Sequence, residues 1–240
     1  MAHAGQLGVT FLAAVVLAGA YVVSHFGHRV PRRIRQRWKA LSAGVAVAYV
    51  FVQVIPELEE HRPAVAGTSF GAVLDAEKRV YSWALAGFLA LSGLEYLAHR
   101  HGATGARVWK YRGELVGFAV YWLLIGYLLV HREDPSPLSL ALYVFAMGLH
   151  AFLVDGELAE QFGALYVPGG SILLAACVLL GWELGVVDAL PESLTSRLFA
   201  FVLGGVIATS VREEHAGEAQ GRFLWFAAGA LAYATILMLL

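Results

Sequence analysis

The sequence predicts an all-α, polytopic integral membrane bundle of about eight transmembrane helices, and three observations predict it. Of its 240 residues 59% are hydrophobic and only 15% are charged, where a soluble domain carries about 25% charged residues. Apolar runs close to the length that crosses a hydrocarbon core, about 20 residues, recur along the whole chain. Lysine and arginine are densest in the first and third connections, whereas the second opens on Glu57, Glu59 and Glu60 before Arg62, Lys78 and Arg79, a bias of the kind the positive-inside rule describes.

Taken in order, the spans cover roughly residues 7–26, 38–56, 80–99, 114–130, 138–155, 167–185, 198–210 and 223–240. The seventh is the shortest, and residues 193–197 can extend it. The first connection holds Arg29, Arg32, Arg33, Arg35, Arg37 and Lys39, and the third holds Arg100, Arg107, Lys110 and Arg112. Both are therefore expected inside, which puts both termini outside if eight spans cross. Trp38, Tyr81, Trp83, Trp109, Tyr111, Trp182 and Trp225 fall near predicted span ends and fit the aromatic belt. No Lys or Arg precedes the first apolar run, so the first helix is expected to be retained rather than cleaved. The expectation is one transmembrane domain over residues 1–240 in a bacterial inner membrane, with a homodimer among the assemblies open to it.

Composition also excludes. A net charge of −1 argues against nucleic acid as a partner. Cys177 is the sole cysteine and forms no internal disulfide. No G-x-x-x-x-G-K-[ST] phosphate loop is present, so transport driven by bound nucleotide is not expected. Lys39, Lys78 and Lys110 are placed at or beyond span ends, which leaves no intramembrane Schiff-base lysine.

Ionisable groups at membrane depth are costly, so each is a candidate for function. The densest cluster is His150, Asp155 and Glu157, with Glu160 following. At about 100° per residue His150 and Glu157 share a helix face, Glu160 lies near it, and Asp155 points about 140° away from His150. Gly156 offers a place where the turn can loosen and bring Asp155 closer. Imidazole with carboxylates suits Zn²⁺, Fe²⁺ or Mn²⁺ more than Ca²⁺. The bland alternative makes the three carboxylates the solvated end of the fifth helix, with His150 hydrogen-bonded to a neighbour.

Glu95 and His99 sit four apart on one face of the third span, a spacing open to a metal pair, with His99 at the boundary. In the second span Gln53 precedes Pro56 and Glu57, and Pro56 lacks a backbone donor and can free a carbonyl of the preceding turn; the alternative is a span end with Pro56-Glu57 entering a solvated loop, which Glu59 and Glu60 support. The fourth span offers only the Tyr121 and Tyr127 hydroxyls and the Trp122 indole; Glu114 is expected at its start, favouring the helix N-terminus. The connection from Arg212 to Glu218 reads as a solvated loop of mixed charge.

With these elements laid out, the chain resembles the ZIP family of divalent metal transporters. Ser42-Ala43-Gly44 through Gln53-Val54-Ile55-Pro56-Glu57 is similar to that family's Gly-containing second span ending in His-x-x-Pro-Glu. Residues 204–214 and 221–240 are similar to its closing pair of spans, and His150 to Gly156 loosely resembles its histidine–carboxylate elements. The resemblance implies eight spans with both termini outside. It also implies a divalent cation, zinc foremost, as substrate or ligand, and its motifs carry over onto Pro56, Glu57 and, loosely, His150 and Asp155 or Glu157. The residues read above complete the expected site, with Glu95 joining His150, Asp155 and Glu157 at the metal and Gln53, Glu57, His99 and Glu160 along its path. The departures are specific. The family's fourth-span His-Asn-x-x-Asp is missing, Gln53 stands where a histidine is expected, and the fifth span has one histidine where the motif wants two. The expectation is thus a reduced, single-metal site. Two other classes compete: a membrane metal hydrolase acting on lipid through Ser92, Glu95, His99, His150 and Asp155, and a scaffold with no catalytic or transport role.

Overall fold

A computed structural model describes residues 2–27, 32–56, 76–99, 104–132, 136–187, 190–215 and 219–239. Among the described residues the chain forms eight long helices and no strand: α1 (Ala2–Gly27), α2 (Arg32–Tyr49), α3 (Ala76–His99), α4 (Thr104–Val130), α5 (Pro137–Phe162), α6 (Gly169–Val187), α7 (Glu192–His215) and α8 (Ala219–Leu239). Five of them contain windows long and apolar enough to cross a membrane, and α8 contributes a shorter apolar stretch, Phe223–Leu239. The seventh helix is one of the five, because its apolar window does run back to Ser193. The molecule is a membrane-embedded helical bundle.

Local chemistry sets the ends and bends that matter. Ser136 caps α5 by accepting from the Ser139 amide at 3.2 Å, with Pro137 at the first helical position. Gly163, at φ 56°, ends the helix in a backbone conformation that a side chain would strain. α2 does not run on as an α-helix. It widens into a π turn over Val50–Val54, where the Ile55 amide reaches back five residues to the Val50 carbonyl. This is the turn just before Pro56, where the missing donor was expected to disturb the ladder.

Three helix pairs are held by reciprocal glycines. A Cβ on Gly44 would lie 2.0 Å from the Phe226 carbonyl oxygen, and one on Gly229 would lie 2.3 Å from that of Leu41. Gly87 and Gly204 meet Phe201 and Ala84 in the same way, and Gly126 and Gly181 meet Val178 and Leu123. In lipid no hydrophobic force drives helices together, so close backbone packing must supply the attraction. The contacts also fix direction. Arg37 lies over Trp225 and Leu41 over Gly229, so α2 and α8 run parallel in register. Trp83 meets Arg197 and Ala84 meets Gly204, which makes α3 and α7 parallel too. Gly181 lies against Leu123 and Gly185 against Val130, which does the same for α4 and α6.

α5 threads the middle, touching α1, α2 and α7. From His150 to Ala159 only Phe152 and Glu157 escape full burial. The outer faces are apolar, with residues such as Leu12, Val16, Phe145 and Leu231 more than half exposed. Such surface is what lipid would cover. The N-termini of α2, α4 and α6 meet the C-terminal part of α5 at one end, called here the basic end for the arginines that open α2, and α8 begins beside α2 at that end.

Candidate functional site

α5 carries three polar levels, and each one turns to a different neighbour. His150 is fully buried. Its Nε2 lies 3.1 Å from the Tyr121 hydroxyl of α4 and 3.5 Å from Thr209 Oγ1 of α7. The Thr209 hydroxyl also donates within α7, to the Gly205 carbonyl at 3.0 Å. Tyr121 and Trp122 flank the imidazole, with ring centroids at 5.9 and 5.8 Å. The fourth span therefore does reach His150, with an aromatic hydroxyl in place of metal ligands. A cation taken up by Nε2 would first have to displace the Tyr121 hydroxyl.

One turn before His150, Met147 lines a cavity of about 20 Å³ with Val50 and Val54 of the π segment, Leu128 of α4, and Val202 and Val206 of α7. That is room for roughly one water, between apolar walls. The four helices α2, α4, α5 and α7 thus converge on the cavity, and one turn further along α5 the histidine meets α4 and α7.

Asp155 is the second level and is also fully buried. Its Oδ1 accepts from the Tyr166 hydroxyl at 2.5 Å and from the Ser171 hydroxyl at 2.6 Å. Those lengths belong to hydroxyl–carboxylate bonds. Tyr166 lies in the turn after α5 and Ser171 in the first turn of α6, so Asp155 ties the connection to both helices. Burial raises the Tyr166 phenol above its ordinary range and the neighbouring Asp155 raises it further, which keeps it a donor. Asp155 is therefore an interior anchor and not the solvated helix end that the bland reading made it.

Glu160 is the third level, at the basic end. It accepts from Arg35 Nε at 2.9 Å and Lys39 Nζ at 3.1 Å, both of α2. Lys39 is only 2% exposed, so the span-end position expected of it is a buried one. Gly156 explains how it fits. A Cβ there would sit 2.8 Å from Lys39 Cε, so the glycine clears a channel for the lysine stem; it does not loosen the helix, which passes through unbroken. Glu114 departs from expectation as well. α4 begins ten residues earlier, and Glu114 is buried inside it, accepting from Gln161 at 3.2 Å.

The structure separates the residues that the sequence grouped. His150, Asp155 and Glu160 have three distinct sets of partners, and Glu157 is half-buried. Among the described residues no three of His, Cys, Asp and Glu stand together as a metal would need. Gln53 is half-buried within the π turn. Glu57 lies outside the described residues, as do the side chains of Glu95 and His99 on α3. The partners that sequence reasoning missed are Tyr121, Thr209, Tyr166, Ser171, Arg35 and Lys39. The only signal for them was polarity within or beside apolar runs, and that does not say which helix faces which.

Comparison with protein-family models and with curated proteins finds no match for the chain.

Proposed function

We propose that the protein is a ZIP-like transporter that passes a divalent metal cation, zinc first among the candidates, between α2, α4, α5 and α7. The observation that carries this reading is a fully buried histidine on α5, met by α4 and α7, one turn along α5 from a small cavity that the π turn of α2 also lines. π turns concentrate at functional sites, and an intramembrane histidine is retained at a cost.

Single ionisable residues at successive levels of one helix suit passage better than storage, since a conducted ion must leave each stop as readily as it enters. His150 is the central stop, Asp155 the next, and Glu160 the outlet at the basic end, which the charge of the connections puts inside. The interior between these levels is packed, so passage requires the helices to rock apart, as in alternating access. Energy comes from the cation gradient.

A scaffold role is the competing reading, and the saturation of Asp155 by two hydroxyls favours it. Titration of the purified protein with Zn²⁺, Mn²⁺ and Fe²⁺, followed by elemental analysis, separates the two. Transport predicts saturable binding that His150→Ala weakens at least tenfold. Absence of binding, or binding that ignores the substitution, favours the scaffold.

A further inference from the structure

We propose that the flank formed by α2 and α8 at the basic end binds the headgroup of an anionic phospholipid. Arg33, Ile34, Arg37 and Trp38 are the exposed residues of the first turns of α2, at spacings of one, four and five, and so form one stripe. Arg35 and Lys39 face the other way, where both pair with Glu160. Neither Arg33 nor Arg37 meets a carboxylate among the described residues.

Arg37 is held in place. Its guanidinium lies 5.5 Å from the centroid of the Trp225 ring, on α8. The glycine contacts at Gly44 and Gly229 fix that register, so the cation–π pair follows from the helix packing. Trp38 and Trp225 are 53% and 40% exposed, and indoles of this kind settle at the headgroup level. Further along α8 the exposed Ile236, about 20° around the helix from Trp225, continues as apolar surface along the flank.

The stripe thus offers two guanidiniums four residues apart, two indoles at their level and an apolar track beneath. This is the order of parts in a phospholipid: phosphate, glycerol boundary, acyl chain. Guanidinium matches phosphate oxygens in a bidentate manner, and an anionic lipid adds net attraction that a zwitterionic one lacks. The cation route plays no part in this inference.

The test uses the full chain reconstituted in phosphatidylcholine vesicles containing brominated phosphatidylglycerol or, in parallel, brominated phosphatidylcholine. Tryptophan quenching reads which lipid occupies the flank, and Trp225→Phe with Trp38→Phe identifies the share of the signal that belongs there. The expected result is stronger quenching by the brominated anionic lipid at low salt. Preference should fall roughly fivefold for each arginine removed in Arg33→Gln/Arg37→Gln and persist largely in Arg33→Lys/Arg37→Lys. Equal quenching by the two lipids, or a preference unchanged in the glutamine variant, would overturn the proposal. So would loss of the preference on adding excess inorganic phosphate, which would assign the stripe to free phosphate. A glutamine variant whose oligomeric state in detergent differs from that of the wild type would assign the flank to a second copy of the chain, and would likewise overturn it.

Discussion

Removing the Asp155 carboxylate tests the part of the interior on which the reading of α5 depends. Asp155→Asn keeps the shape and an acceptor oxygen but removes the charge from a position that is fully buried and receives hydroxyls at 2.5 and 2.6 Å. Hydrogen bonds to a charged group contribute about 1.5–3 kcal/mol each, whereas interhelical hydrogen bonds in membrane proteins average about 0.6 kcal/mol. The two magnitudes lead to different outcomes. Because asparagine still accepts, the cycle reads the charged bond less the neutral one. If Oδ1 is a charged acceptor, a double-mutant cycle of Asp155→Asn with Tyr166→Phe gives a coupling above about 1 kcal/mol, and the cycle with Ser171→Ala gives a similar value. If the group is an ordinary neutral acceptor, both couplings fall near zero. Reversible unfolding of the purified protein in mixed micelles, followed by tryptophan emission, supplies the four free energies of each cycle. Couplings near zero, or an Asp155→Asn variant more stable than the wild type, would refute the view of Asp155 as a charged anchor between α5 and α6.

Other substitutions probe separate parts of the fold. Gly126→Val drives a side chain onto the Val178 carbonyl, 2.1 Å from where the Cβ would stand, and should lower the unfolding temperature sharply or prevent recovery of folded protein. Gly148→Ala meets nothing within 4 Å and should raise stability by about 0.5–1 kcal/mol through helix propensity, so the pair separates contact from propensity. Lys39→Met removes one cation from Glu160, which keeps Arg35 and has a side chain 43% exposed. Solvent screening limits that loss to about 1 kcal/mol or less in the same unfolding assay. If all eight helices cross, positions near Gln6 and Ile236 lie on one side of the membrane, and single cysteines there in a Cys177→Ala background should react alike with a membrane-impermeant maleimide, whereas an odd number of crossings makes them differ.

The fold was largely legible, because length and hydropathy act along the chain. Apolar runs are counted residue by residue, and the weak seventh span recovered its length from Ser193 as the sequence allowed. The disturbance before Pro56 was legible too, since a missing amide is a local defect. The site was legible only in outline. His150 and Asp155 were correctly set on different faces of α5, which follows from helical geometry alone. Their partners were not foreseen, because Tyr121, Thr209 and Ser171 lie on other helices and their meeting depends on how glycines set the helix registers. Glu114 and Lys39 were assigned to helix ends for a similar reason. Span limits drawn from hydropathy stop where charge begins, whereas the helices continue until a partner or a glycine ends them, as α5 does at Gly163.

The measurement closest to the central claim is uptake of ⁶⁵Zn²⁺ into proteoliposomes driven by an imposed zinc gradient, with protein-free vesicles as the baseline. Saturable uptake above baseline is expected, reduced at least tenfold in His150→Ala while the variant still reconstitutes as a folded helical protein. Flux equal in the two proteins, or no flux above baseline from the wild type with any of Zn²⁺, Mn²⁺ and Fe²⁺, would contradict it.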